Sequence, residues 1–215
     1  MDSTNNTPTS AEDYLLKETR HTKGFLDPKE TMVIIGTSNT VLDPYSVLIS
    51  KNVSVGTGNI LYPNVVIECA DNAKITIGND NVFYPGTYLL SSTGSISIGD
   101  NNELGMNGCT IRANSSEAAI RIGSGGRYCD GANIMGQSNL GDGSQILGNI
   151  IVQSCTLAPG STYQVPDPNE RGAVLKGFGI ARNLTLEKGL VINGAGDFAS
   201  SPTEWQRDYH STPSV

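Results

Sequence analysis

His21 and His210 are the only two imidazoles in the chain, and imidazole is the side chain whose ordinary pKa best suits proton abstraction near neutral pH. They stand at opposite ends of the sequence. By position alone each reads as an ordinary terminal histidine. A second concentration of reactive types runs from Arg121 to Asn133, where Gly123-Ser124-Gly125-Gly126 leads into Arg127-Tyr128-Cys129-Asp130-Gly131. Tyr128 falls where the surrounding pattern calls for an aliphatic core residue, and an inward phenol has to find a hydrogen-bond partner or lead out of the core. Asp130 and Glu103 can share a face as paired carboxylates, although such pairs on a surface are ordinarily solvated. His21, His210, Tyr128 and Asp130 are therefore the candidates for catalysis.

The same inventory excludes several chemistries. Two histidines at opposite ends of the sequence do not make up a set of three imidazoles around a water-activating metal. No glycine-rich loop ends in Lys-Ser or Lys-Thr, so a nucleoside triphosphate cradle is unsupported. Cys69, Cys109, Cys129 and Cys155 lack the CxxC spacing of a zinc knuckle and read as small buried hydrophobes. No metal site and no required cofactor are expected.

The elements that position these residues are set by a repeat. An aliphatic residue followed by Gly recurs with further apolar residues six and twelve positions on: Ile35-Gly36, Val41, Val47; Val55-Gly56, Leu61, Ile67; Ile77-Gly78, Phe83, Leu89. The series continues as Ile98-Gly99, Leu104, Thr110; Ile122-Gly123, Tyr128, Ile134; Leu140-Gly141, Ile146, Val152. A helix places apolar residues every 3.6 positions and a lone strand every second one, so strict sixes fit neither. They fit a triangular solenoid in which each side uses one hexapeptide with its aliphatic residue inward. Val53, Ile75, Ile96 and Ile120 sit two residues before the next repeat and predict a longer strand on one side. Ala70 to Ala73 and Asn114 to Ala118 read as corner insertions. Asn39, Asn59, Asn81 and Asn102 each lie three residues after the repeat glycine, which predicts a stacked asparagine ladder at a corner. Tyr62-Pro63 and Tyr84-Pro85 mark another corner.

The expected fold is all-β: a left-handed parallel β-helix of about six triangular coils over residues 33–182. A tail and short helical cap occupy 1–32, with Ser10 as N-cap and Leu15 and Leu16 as the apolar contact. An irregular extension fills 183–215, its Trp205 and Tyr209 packing on the solenoid or on a neighbour. The cap covers strand edges that otherwise invite end-to-end association. A formal charge of −7 argues against nucleic acid and anionic lipid, both of which need clustered Lys and Arg. With no stretch approaching the roughly 18 apolar residues of a membrane span and a polar Met1 to Ser10, the expectation is a cytoplasmic protein.

The aliphatic-glycine hexapeptides resemble the hexapeptide-repeat superfamily. It includes acyl-CoA-dependent acyltransferases, γ-class carbonic anhydrases and sugar-nucleotide enzymes, and also non-catalytic subunits such as the two small β-helical subunits of dynactin. Ala158-Pro159-Gly160-Ser161, followed by Val174-Leu175-Lys176-Gly177-Phe178-Gly179-Ile180-Ala181-Arg182, is similar to the closing segment of many of the acyltransferases. Ile77-Gly78-Asn79-Asp80-Asn81-Val82-Phe83 and Ile98-Gly99-Asp100-Asn101-Asn102 resemble repeats of the dynactin subunits. The acyltransferase resemblance implies acyl-CoA as co-substrate and makes Lys176 and Arg182 candidate contacts to its phosphates. The scarcity of histidine favours the other expectation, a non-catalytic assembly or binding protein. The alternative is an acyl-CoA-dependent O- or N-acetyltransferase with an atypical base. Both imply a homo-oligomer, a trimer before other states, and the dynactin resemblance also allows assembly with a different chain.

Overall fold

The computed structural model describes residues 11–210. Coil 1 runs through Thr40–Val41, Leu48–Ile49 and Ser54–Val55, and each of these strands pairs in parallel with the strand one coil later. Val41 lies beside Leu61, Ile49 beside Ile67 and Val55 beside Ile77. Repeating that step generates three columns of strands, the three faces of a left-handed parallel β-helix. Among the described residues seven coils are complete, the last closing at Thr185–Leu186, and Leu190–Asp197 adds two faces of an eighth.

The stack therefore continues past residue 182, into the stretch expected to be irregular. Val174–Arg182 and Leu190–Asp197 run straight through the corner between the first and second faces and pair with each other from Val174–Val191 to Ile180–Asp197. That corner is turned by Gly177 and Gly179 facing Gly194 and Gly196 rather than by an aliphatic-glycine step. The spacing of six fades there although the coils persist.

Inward residues form one continuous apolar core: Leu61, Phe83, Leu104 and Ile146 on the first face, Ile67, Leu89, Ile111 and Ile134 on the second, Ile98, Ile122, Leu140 and Leu157 on the third. The extra isoleucines Ile75, Ile96 and Ile120 are also buried and give the third face its four-residue strands, Lys74–Ile77, Ser95–Ile98 and Ala119–Ile122. One expected core position shifts: Ile111, not Thr110, is in register with Leu89, because the corner at Gly105 to Gly108 carries one extra residue. Val47 is buried as expected, and Ile49 joins it in the core in register with Ile67. The repeat glycines are required by close stacking. A Cβ on Gly78 would lie 2.7 Å from the Gly99 carbonyl oxygen.

The asparagine column is a buried hydrogen-bonded ladder. Asn81 Nδ2 donates to Asn59 Oδ1 at 3.0 Å and to the Gly99 carbonyl at 2.9 Å, while its own Oδ1 accepts from the backbone and side-chain nitrogens of Asn102 at 2.9 and 3.0 Å. Each amide thus satisfies backbone groups that turn inward at the corner, where no water reaches. Beside it, Asn79, Asp100, Ser124 and Asp142 form a second column in which each side-chain oxygen accepts from the backbone nitrogen one coil earlier.

A helix over Ala11–Thr22 caps the stack as expected, but its anchor is not Leu15, which is 66% exposed. The anchor is Arg20, whose buried guanidinium donates to the carbonyls of Leu26, Pro44, Tyr45 and Val47. Ile35, read as the first repeat, belongs instead to a wide helical turn, Thr31–Ile35, that precedes coil 1. Ser10 lies outside the described residues. At the other end Glu204–Trp205 pairs antiparallel with Leu190 and Val191, so the tail packs on this chain's own last coil.

Candidate functional site

Tyr128 is wholly buried, and its hydroxyl lies 3.0 Å from Ser144 Oγ. Its place follows from the ladder. Three residues after the repeat glycine the successive coils carry Asn39, Asn59, Asn81, Asn102, Gly126 and Ser144. Gly126 offers no amide, and the Tyr128 hydroxyl fills the gap: a Cβ on Gly126 would lie 2.4 Å from it. Burial pushes the phenol well above its ordinary pKa. Tyr128 is a plug in the column, closed to substrate.

Asp130 occupies a corner in the left-handed region, φ 59°, and accepts from Asn107 Nδ2 at 2.8 Å. Glu103 instead accepts from the Tyr163 hydroxyl at 3.2 Å, so the two carboxylates engage different partners. Cys129 donates to Asp130, and burial together with that carboxylate holds its thiol up at about 12. All four cysteines are free thiols, three of them buried.

His21 closes the N-terminal cap. Asp27 and Glu30 form a reciprocal capping box, and His21 Nε2 lies 2.7 Å from Glu30 Oε2. One ligand-capable atom from each of these three residues falls within 4.8 Å of the others. Hydrogen bonds among the three, with Lys17 3.8 Å from Asp27, account for that closeness.

His210 and Lys176 are brought together. Between coils 6 and 7 the chain leaves the prism at Pro159 and returns at Gly172, and this loop forms one wall of a groove of about 410 Å³ on the first face. The opposite wall is Gln206–Tyr209 and His210, held down by the buried Gln206, whose Nε2 donates to the Gly172 carbonyl at 2.7 Å. Val174, Val191 and Leu147 form an apolar floor. Arg127 and Lys176 come from first-face strands and Arg171 from the loop, and among the described residues no Asp or Glu is part of the groove lining.

The two guanidiniums are fixed by neutral acceptors. Arg127 donates to Gln145 Oε1 from Nε at 3.0 Å and from Nη2 at 2.7 Å, and its carbon lies 3.8 Å from the centre of the Tyr163 ring. Arg171 Nε donates to the Val165 carbonyl at 2.9 Å, and its Nη1 lies 3.0 Å from His210 Nε2. An arginine only donates, so His210 Nε2 is the acceptor and the ring is neutral. Partial burial, with Arg171 and Lys176 nearby, correspondingly lowers the His210 pKa. Of the carboxylates around the groove, Glu170 pairs with Lys188, Glu204 accepts from the Tyr209 hydroxyl and Glu103, in register beside Arg127, accepts from Tyr163.

Arg182 lies apart, on the second face, where its Nε donates to Gln153 Oε1 at 3.0 Å. It does not converge with Lys176. Arg127 and Arg171 were not singled out from sequence, although Arg127 directly follows the glycine that interrupts the asparagine column.

Among the described residues no helix is long and apolar enough to cross a membrane. No family model matches the chain, and no curated protein matches it either. Among solved structures it is similar to a Francisella novicida UDP-N-acetylglucosamine acyltransferase, with 17% identity, a TM-score of 0.34, and coverage of 78% of this chain and 73% of that one. A likeness of that level assigns no substrate to this chain.

Proposed function

We propose that the protein is a non-catalytic binding and assembly β-helix that associates with copies of itself through its second face. One observation carries this reading, the contrast between two outward columns. On the third face the outward positions are Ser54, Thr76, Ser97, Arg121, Asn139 and Thr156, as expected for a solvated sheet surface. On the second face they include Leu48, Val66, Tyr88, Ile151 and Ile180, interrupted by Thr110 and Asn133. Parallel strands apolar on both sides are the kind that become covered. Ile151 and Ile180 remain 36% and 41% exposed in the single chain. The engagement of His21 in the cap and of Tyr128 in the corner column supports the non-catalytic part. Sedimentation equilibrium of the full chain tests the reading: the expected mass is that of three copies, falling to one when Ile151 and Ile180 are both changed to Asp. A wild-type monomer at micromolar concentration would overturn it.

A second reading, an acyl-CoA-dependent acyltransferase, is favoured by the shared groove of Lys176 and His210. Saturable heat on titration with acetyl-CoA would support that reading, and none at millimolar ligand would remove it.

A further inference from the structure

We infer that the groove between the 159–172 loop and the C-terminal segment is a binding site for a small organic phosphate monoester. The inference gives a ligand to the binding protein proposed above and rests on that reading.

Charge balance is the first argument. A chain of net charge −7 collects Arg127, Arg171 and Lys176 around one groove whose lining, among the described residues, holds no Asp or Glu, and only Glu103, in register beside Arg127, and Asp208, in the C-terminal wall, stand close enough to offset part of that charge. Three cations against two flanking carboxylates leave an excess of positive charge in the groove, so an anion entering among them relieves a cost the folded chain otherwise bears. Fixation is the second. Gln145 Oε1 and the Val165 carbonyl, both neutral, hold the two guanidiniums in place without neutralising them. Arg127 keeps Nη1 without a partner and Arg171 keeps Nη2, among the described residues. Planar donors already oriented suit a tetrahedral dianion, which accepts from several directions, better than a single-charged carboxylate. Lys176, in none of the ion pairs among the described residues, adds a point charge.

The floor sets the rest of the ligand. Val174, Val191 and Leu147 offer apolar surface beside the cations, matching an aliphatic or aromatic body attached to the phosphate. The predicted preference is thus for the ester over the free ion.

Calorimetric titration of the full chain with phenyl phosphate and with inorganic phosphate tests this, with the mass of each sample measured alongside. Phenyl phosphate is expected to bind saturably and more tightly than inorganic phosphate. Lys176→Gln should weaken it about tenfold, the loss of one charge-assisted contact, while Lys74→Gln on the third face makes the same change in net charge and should leave it unaltered. Absence of saturable binding at millimolar phenyl phosphate, or equal weakening by the two substitutions, would overturn the site. A trimer that fails to bind overturns the groove alone, and a monomer that binds overturns the assembly reading alone.

Discussion

In coils 1 to 4 the column three residues past the repeat glycine is Asn39, Asn59, Asn81 and Asn102, each amide bonded to the next; in coils 5 and 6 it is Gly126 and Ser144, and in coil 7, which has no such glycine, Ala173 stands in register with them. The first region is repetitive and self-satisfying. The second has lost the amides and closes its corner with the Tyr128 hydroxyl and Ser144. The 159–172 loop leaves the prism in this second region, with Gly160 N bonded to the Asp142 carbonyl at 2.8 Å, and the cationic groove is built there too. Repetition of corner chemistry fixes a scaffold, and its interruption marks the coils that carry individual features.

The largest effect separating the two regions is expected from Asn81→Ala. It removes donors to Asn59 Oδ1 and the Gly99 carbonyl and the acceptor of Asn102 N, all in a buried corner. At roughly 1–3 kcal/mol for each buried group left unsatisfied, the loss comes to about 4 kcal/mol. Urea unfolding should show it; a loss no larger than that of the exposed Asn139→Ala would mean that the ladder is not what holds these coils. Tyr128→Phe should cost less, about 1–2 kcal/mol, because one hydrogen bond to Ser144 is removed and the ring remains. The comparison sharpens with Gly126→Asn. Its Cβ would lie 2.4 Å from the Tyr128 hydroxyl and 2.8 Å from the Ser144 carbonyl oxygen, so Tyr128→Leu relieves only the first clash, and the double variant should be less stable than Tyr128→Leu by itself in urea unfolding; equal or greater stability would mean that the corner yields to accept a fifth amide.

The fold was legible because the period of six is written into core residues and repeat glycines that any coil of this size needs. What escaped was written in single residues. The extra corner residue that moves Thr110 outward has no periodic signature, and the seventh and eighth coils turn on Gly177, Gly179, Gly194 and Gly196 instead of the aliphatic-glycine step. The cap was visible as a helix, while its anchor was not, since nothing local to Arg20 shows that carbonyls more than 20 residues away will surround it. Of the candidate site residues, His210 and Lys176 meet because Gln206 pins the tail to Gly172, a contact across 34 residues with no sequence pattern. Gly126 was the one local clue: glycine standing where four coils in succession have asparagine.

The smallest expected effect concerns the newest part of the C-terminal region, the segment that walls the groove. His210 accepts from Arg171 only while neutral, and its folded pKa lies below the ordinary 6.5. The docked segment therefore binds fewer protons than the undocked one, and docking strengthens as pH rises. It is complete above about 6.5, the undocked value for histidine. It weakens as the pH falls below that value and levels off once the pH lies under the lowered folded value. His210 is exposed, so solvent keeps the effect small. Trp205, the single tryptophan of the chain, sits in the strand that opens this segment and reports on it directly. Its fluorescence is expected to titrate between pH 7.5 and 5 in the wild type and to stay flat in His210→Gln. A flat wild-type profile, or the same titration in both, would mean that the contact between His210 and Arg171 does not hold the wall, and coils 1 to 4 and 5 to 8 would then differ in corner chemistry alone.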